Sequence, residues 1–296
     1  MNVLITGGSG LVGSTLTAIL LAKGYQVGIF TRSKKGKTGI EEFVWDVEKG
    51  HLDTTALNWA DHIVHLAGEN VGQRWTASTK KKILSSRKQS TKLLAQELEA
   101  GYDIQSFISA SAIGYYGNTG DKEVNEKSPK GEGFLADVVQ QWENAIESVK
   151  PHVERLVKLR IGIVLTSEGG ALGKMVLPIK MGAGSPLGSG QQWMSWIHIL
   201  DLCKMFVFAL ENPVKGTFNA VAPEPVTNII MTRALGRQLN RPVWLPNVPS
   251  FMLKLMLGEM SAIVLEGNKV SAAAIQQEGF KFEFDSLEKS LADLFG

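Results

Sequence analysis

Cysteine occurs once in 296 residues, at Cys203. One thiol excludes an intramolecular disulfide and any cysteine-based metal cluster, and no metal site is expected. It stands in the apolar helical pattern Leu202–Phe206, which points to a buried, inert thiol rather than a nucleophile. No apolar run approaches the ~20 residues that cross a bilayer, so no membrane span is expected. Charge of either sign is scarce in excess: 31 basic against 29 acidic side chains leave a formal +2. That is too little to argue for nucleic acid or a membrane surface. The cluster Lys80-Lys81-Lys82 is short and reads as a solvated helix face, not a basic stripe. A first strand at residue 2 leaves no room for a leader, so the cytoplasm is the expected compartment.

The first thirteen residues carry the most information. Val3-Leu4-Ile5 is a short apolar run. It leads through Thr6-Gly7-Gly8-Ser9-Gly10-Leu11-Val12-Gly13 into a helical pattern that stops at Gly24. Glycines at 7, 10 and 13 suit a tight turn, close approach of backbone to phosphate, and close helix-on-strand packing. The following helix, opening at Leu11 and Val12, points its free N–H groups and positive dipole end at the turn. Strand before and helix after satisfy the context a dinucleotide-binding turn requires. An ordinary βα turn packed with glycine is the alternative.

The second strand, Gln26–Phe30, ends in Thr31-Arg32-Ser33-Lys34-Lys35. The acid that holds a ribose 2′-hydroxyl in NAD sites is missing; the first is Glu41. Arg32 and Ser33, with Lys34 or Lys35, instead offer a cation and a hydroxyl to a 2′-phosphate, which favours NADP(H) over NAD(H). A solvated basic loop is the competing reading.

Strand-like and helix-like segments then alternate. Strands are expected at 42–46, 62–68, 106–111 and 157–165, and helices at 79–100 and 134–149. Alternation means βαβ crossovers, so the fold class is α/β: a Rossmann-type, doubly wound parallel sheet. Residues 1–165, with 193–222 returning, form the expected nucleotide-binding domain. Segments 166–192 and 223–296 form a smaller, discontinuous C-terminal substrate lobe. The stretches 169–173 and 182–190 read as flexible turns, 216–221 as a further strand, and 227–239 and 249–257 as helices.

Four more segments narrow the family. Val64-His65-Leu66-Ala67-Gly68, Ser109–Gly117, Leu159–Leu165 and Trp196–Leu202 resemble, in order, segments of the extended short-chain dehydrogenase/reductases. Gly68-Glu69-Asn70, Arg74-Trp75, Ser86-Arg87, Ala112–Gly117, Gly188–Gln192 and Leu265-Glu266-Gly267 resemble the atypical "epimerase family protein" branch, with its own extension from about residue 245. The resemblance implies a Rossmann fold and NADP binding, but no substrate. It implies that Asp46 meets the adenine and that Leu66, Ala67 and Gly68 border the ribose. Arg87, and less directly Arg160, would reach the cofactor. Glu69, Asn70, Arg74 and Trp75 would line the substrate, with a loop capping the sheet as the alternative; Asp201 would cap the following helix.

The resemblance breaks at the reaction centre. The superfamily's acid/base pair is Tyr-x-x-x-Lys. None of the four tyrosines, at 25, 102, 115 and 116, has a lysine four residues on, and Phe134 and Val138 stand at the expected place. Ser111 matches the usual serine, and Tyr115 or Tyr116 would supply a phenol, with Arg87 the cation nearest to hand. Two functions follow. One is an NADP-dependent oxidoreductase or epimerase on a small polar carbonyl or sugar-nucleotide substrate. The other is an NADP(H)-binding sensor without catalysis. The sequence leaves the oligomeric state open.

Overall fold

Val3, Leu4 and Ile5 are fully buried, because the strand they form lies mid-sheet with helices on both faces. The computed structural model describes residues 1–36 and 38–296. One sheet contains β1 (Asn2–Thr6), β2 (Gln26–Thr31), β3 (Ile40–Asp46), β4 (His51–Leu52), β5 (His62–His65), β6 (Ser106–Ala112), β7 (Arg155–Ile161) and β8 (Gly216–Ala220). Their order is β8-β7-β6-β5-β1-β2-β3-β4, and every pairing is parallel except β3 with β4. The chain runs outward from β1 through β4, then returns to β5 on β1's other side. That reversal opens a crevice at the carboxyl ends of β1 and β5, where doubly wound sheets take ligands.

The α-helices up to residue 211 are α1 (Leu11–Ala22), α2 (Thr55–Trp59), α3 (Ala77–Leu98), α4 (Phe134–Glu147), α5 (Gly170–Lys180) and α6 (Ile199–Glu211). Helix α1 packs on α6, and α3 packs on α4. Cys203 is fully buried on α6 with its Sγ 3.8 Å from the Val12 carbonyl, and burial pushes its thiol up to about 12. It is the inert thiol expected.

Two sequence expectations are revised. The strand expected over 157–165 breaks at Gly162. Residues 155–161 stay in the main sheet, while Ile163–Leu165 leaves it to pair with Trp196–His198. The Gly162 N–H still reaches Ala220, but a Cβ there would stand 2.4 Å from the Ser195 carbonyl, so only glycine lets the two segments diverge. The stretch beginning 169–173 is not a turn throughout: Gly170–Lys180 is helical, burying Leu172, Val176 and Ile179 against Trp196, Met231 and Leu235. Its glycines and Pro178 hide an apolar spacing of four and three. Residues of 223–296 divide between two cores. Leu287 and Leu291 join that second core, while Ile275 and Phe280 pack into the core of the main sheet.

Candidate functional site

The glycine turn sits at the switch point. Gly7 has φ +72°, and a Cβ there would press on the backbone of Leu66 and Ala67. Gly13 is where α1 lies on the turn: a Cβ would be 2.3 Å from the Gly7 carbonyl. Gly10 differs. A Cβ on it would meet only the Gly7 carbonyl, at 3.3 Å, and is otherwise open. Gly10 is also the N-cap of α1, with no side chain capping the helix. Open space before uncapped N–H groups is the cradle a pyrophosphate needs, so these residues fit a dinucleotide.

A buried relay fixes the crevice floor. The Thr6 hydroxyl accepts from the Leu66 and Ala67 N–H groups, at 3.0 and 3.1 Å, so its own proton goes to His65 Nδ1 at 2.8 Å. Thr91 donates to the Arg87 carbonyl at 2.7 Å, so it accepts from His65 Nε2 at 3.0 Å. This donor count makes His65 the neutral Nε2–H tautomer. Burial, with Arg87 nearby, pushes its pKa down to about 3.

Arg87 hangs from α3 beside Gly68. It donates to the carbonyls of Glu69 and Ile83, at 2.9 and 3.0 Å, and lies over the Trp142 ring. No described carboxylate pairs with it. Burial brings its guanidinium down to about 10, with Glu69 opposing. The Glu69 carboxylate instead accepts from Gln73, at 2.8 Å.

After β2, Arg32 and Ser33 are exposed, and Arg32 has no ion pair among the described residues. Thr31 Oγ1 donates to the Ser33 carbonyl at 2.9 Å. Buried Glu42 accepts the Lys35 and Gly36 N–H groups at 2.6 and 2.7 Å, which anchors this loop. Asp46 ends β3 and holds Lys49 at 3.2 Å; bonds from the Lys49 backbone and side chain lower its pKa.

The carboxyl end of β6 holds a closed polar network. Ser111 donates to Glu143 Oε1 at 2.6 Å. Glu143 forms a two-bond ion pair with Arg160, both contacts 2.8 Å. Arg160 donates to the Tyr116 hydroxyl at 2.9 Å, and Tyr116 donates to Asn219 at 2.7 Å. The Arg160 guanidinium also stacks on the Tyr115 ring, 3.6 Å from its centroid. Burial alone would raise the Glu143 pKa, but Arg160 and Ser111 hold it below the usual carboxylate range. Burial raises that of Tyr116 despite Arg160. Arg160 is therefore 4% exposed, with its guanidinium bonded to Glu143 and Tyr116 inside this network. The cation at the tyrosine pair is Arg160, not Arg87. Tyr115 is half-buried, and its hydroxyl makes no hydrogen bond among the described residues.

Phe134 and Val138, at the place of the missing Tyr and Lys, lie in an apolar cluster with Trp75 and Ile83; the Phe134 and Trp75 rings meet edge to face at 4.9 Å. The 69–75 loop is tied by Asn70 accepting from the Gly72 N–H and by Trp75 donating to Val71, while Arg74 is exposed.

Asp201 does not cap α6. His198 does, accepting the Leu200 N–H at 3.2 Å. Asp201 reaches instead to the N–H groups of Glu283 and Phe284, and Phe284 stacks on His198 at 3.8 Å. Sequence reasoning missed Glu143. The signal was a charge on the buried stripe of α4, between Val139 and Ile146.

Residues 3–134 match the NAD dependent epimerase/dehydratase family, and residues 248–294 match a domain of unknown function, DUF1731. An epimerase family protein of Mycobacterium leprae is 38% identical over 98% of this chain and 94% of its own. Epimerase family protein YfhF of Bacillus subtilis is 35% identical over 99% and 98%. Among solved structures, human epimerase family protein SDR39U1 with NADPH superposes with a TM-score of 0.87 at 34% identity, covering 99% of both chains. A Rossmann-type sheet, the glycine turn at its switch point and these full-length likenesses agree: the chain belongs to the epimerase family proteins, an atypical branch of the extended short-chain dehydrogenase/reductases.

Proposed function

We propose that this protein binds NADP(H) in the crevice between β1 and β5 and exchanges a hydride with a small polar substrate held at residues 69–75. The observation that carries the reading is the open face of Gly10, set before an uncapped helix N-terminus at the switch point. Arg32, exposed and without an ion pair among the described residues, suits the 2′-phosphate, and the human relative was crystallised with NADPH. Arg87, a cation without a carboxylate, suits the cofactor's ribose and phosphates. Bound there, the nicotinamide supplies or accepts the hydride. The protein must handle the proton. Ser111 has committed its own to Glu143, so its oxygen is left only as an acceptor. Tyr116 is held between Arg160 and Asn219. Tyr115 keeps an uncommitted phenol, and it is the group to give a proton to a carbonyl oxygen or take one from an alcohol.

A second reading, an NADP(H) sensor without turnover, is favoured by the apolar Phe134 and Val138 and by the spent Ser111. A screen of carbonyl and sugar-nucleotide substrates with NADPH separates the two. Turnover should fall by roughly 10²–10⁴ in Tyr115→Phe. Full turnover in that variant would remove Tyr115 from the chemistry. Tight NADPH binding with no turnover across the screen would make the sensor reading the better one.

A further inference from the structure

Helix α5 crosses the mouth of the crevice. A Cβ on its first residue, Gly170, would stand 3.5 Å from the Leu11 side chain, beside the glycine turn. One turn on, Lys174 reaches the loop on the other side, its Nζ 2.7 Å from the Gly72 carbonyl. Gly72 leaves room for it: a Cβ there would be 3.2 Å from that Nζ and 3.3 Å from Asn70 Oδ1. The ammonium has three protons to donate, and this carbonyl is its one partner among the described residues. No carboxylate among the described residues pairs with it. Glu69, the acid of the loop, is turned to Gln73, and Arg87 on the inner side of the same loop has carbonyls as its hydrogen-bond partners among the described residues. Arg74 adds a third unpaired cation. A loop flanked by basic side chains, with its one acid occupied, favours an anion.

We propose that Lys174 binds an anionic group of the substrate, a carboxylate or phosphate ester, against the Asn70–Gly72 loop. The inference rests on the proposed function, because it takes the 69–75 loop as the substrate side of the crevice. A flexible stem suits the role: Nζ can keep the Gly72 carbonyl and give its other two protons to anion oxygens. The same chemistry has a second source, the phosphates of the dinucleotide, and the experiment separates them.

NADPH is titrated first into wild type, Lys174→Ala and Lys174→Arg. Inorganic phosphate, malonate and UMP are then titrated into each NADPH complex by calorimetry, at ionic strength matched with sodium chloride. The expected result is that at least one probe binds the wild-type complex. Lys174→Ala should weaken that probe by about tenfold or more and Lys174→Arg should restore it, while NADPH affinity stays within about twofold. A merely structural lysine would not single out the anion. The proposal is overturned if no probe binds the wild type, if Lys174→Ala binds anions as wild type does, or if it weakens NADPH as much as the probe. Should NADPH fail to bind the wild type, the cofactor reading fails by itself, and the same anion titrations on nucleotide-free protein decide the role of Lys174.

Discussion

Ser111 Oγ donates its single proton to Glu143 Oε1 across 2.6 Å, and both side chains are buried. The serine that in related reductases would polarise a substrate carbonyl is here turned into the core. Glu143 tolerates burial because Arg160 meets it with two bonds. Glu143→Gln would leave the Arg160 charge without its counter-ion. The loss should be about 3–5 kcal/mol, read as a lower urea midpoint at unchanged slope. Wild-type stability in that variant would mean the pair is not what holds this end of the sheet.

The glycines of the turn should separate by role. Gly10→Ala brings a methyl group to 3.3 Å from the Gly7 carbonyl and meets nothing else within 4 Å, so it should cost less thermal stability than the same change at Gly13, while nucleotide binding is lost. Gly13→Ala puts the same methyl 2.3 Å from the Gly7 carbonyl, so it should lower both. Melting curves with and without NADPH check this. Unchanged NADPH protection in Gly10→Ala would show that the open face of Gly10 is not the cradle.

His65 makes a pH prediction. Its folded pKa, about 3, lies below the ordinary 6.5. Between those values the unfolded chain binds a proton that the fold does not. The stability it contributes is therefore complete above pH 6.5 and is lost as pH falls toward 3. One such group adds a slope of up to about 1.4 kcal/mol per pH unit. His62 and His198, both lowered chiefly by burial, act in the same direction. His65→Gln keeps an N–H for Thr91 and should flatten the acid limb by about one proton. Denaturant midpoints across that range read it, and identical slopes in the two proteins would place a charged His65 in the fold.

Much of this was legible in the chain because it is local. The turn, the Val64–Gly68 segment and the alternation of strand and helix depend on neighbours in sequence. The missing Tyr-x-x-x-Lys pair was legible as an absence. What replaced it was not, because Ser111, Glu143, Arg160, Tyr116 and Asn219 come from five separate elements and meet only in the folded sheet. Asp201 misled for the same reason: its position suggested a local cap, and its partners lie 82 and 83 residues away. The break at Gly162 was hidden because β-branched and aliphatic residues continue on both sides of it, and such a pattern does not say which strand is the partner.

The central claim is that this crevice selects NADP(H), through Arg32 and without an acid after β2. The most direct measurement is a paired titration of NADPH and NADH into wild type and Arg32→Asp by fluorescence or calorimetry. Wild type should bind NADPH more tightly by roughly tenfold to a hundredfold, the worth of about 1.5–3 kcal/mol in a charge-assisted contact, and the variant should lose that preference. Equal affinity of the wild-type protein for the two nucleotides would contradict the account.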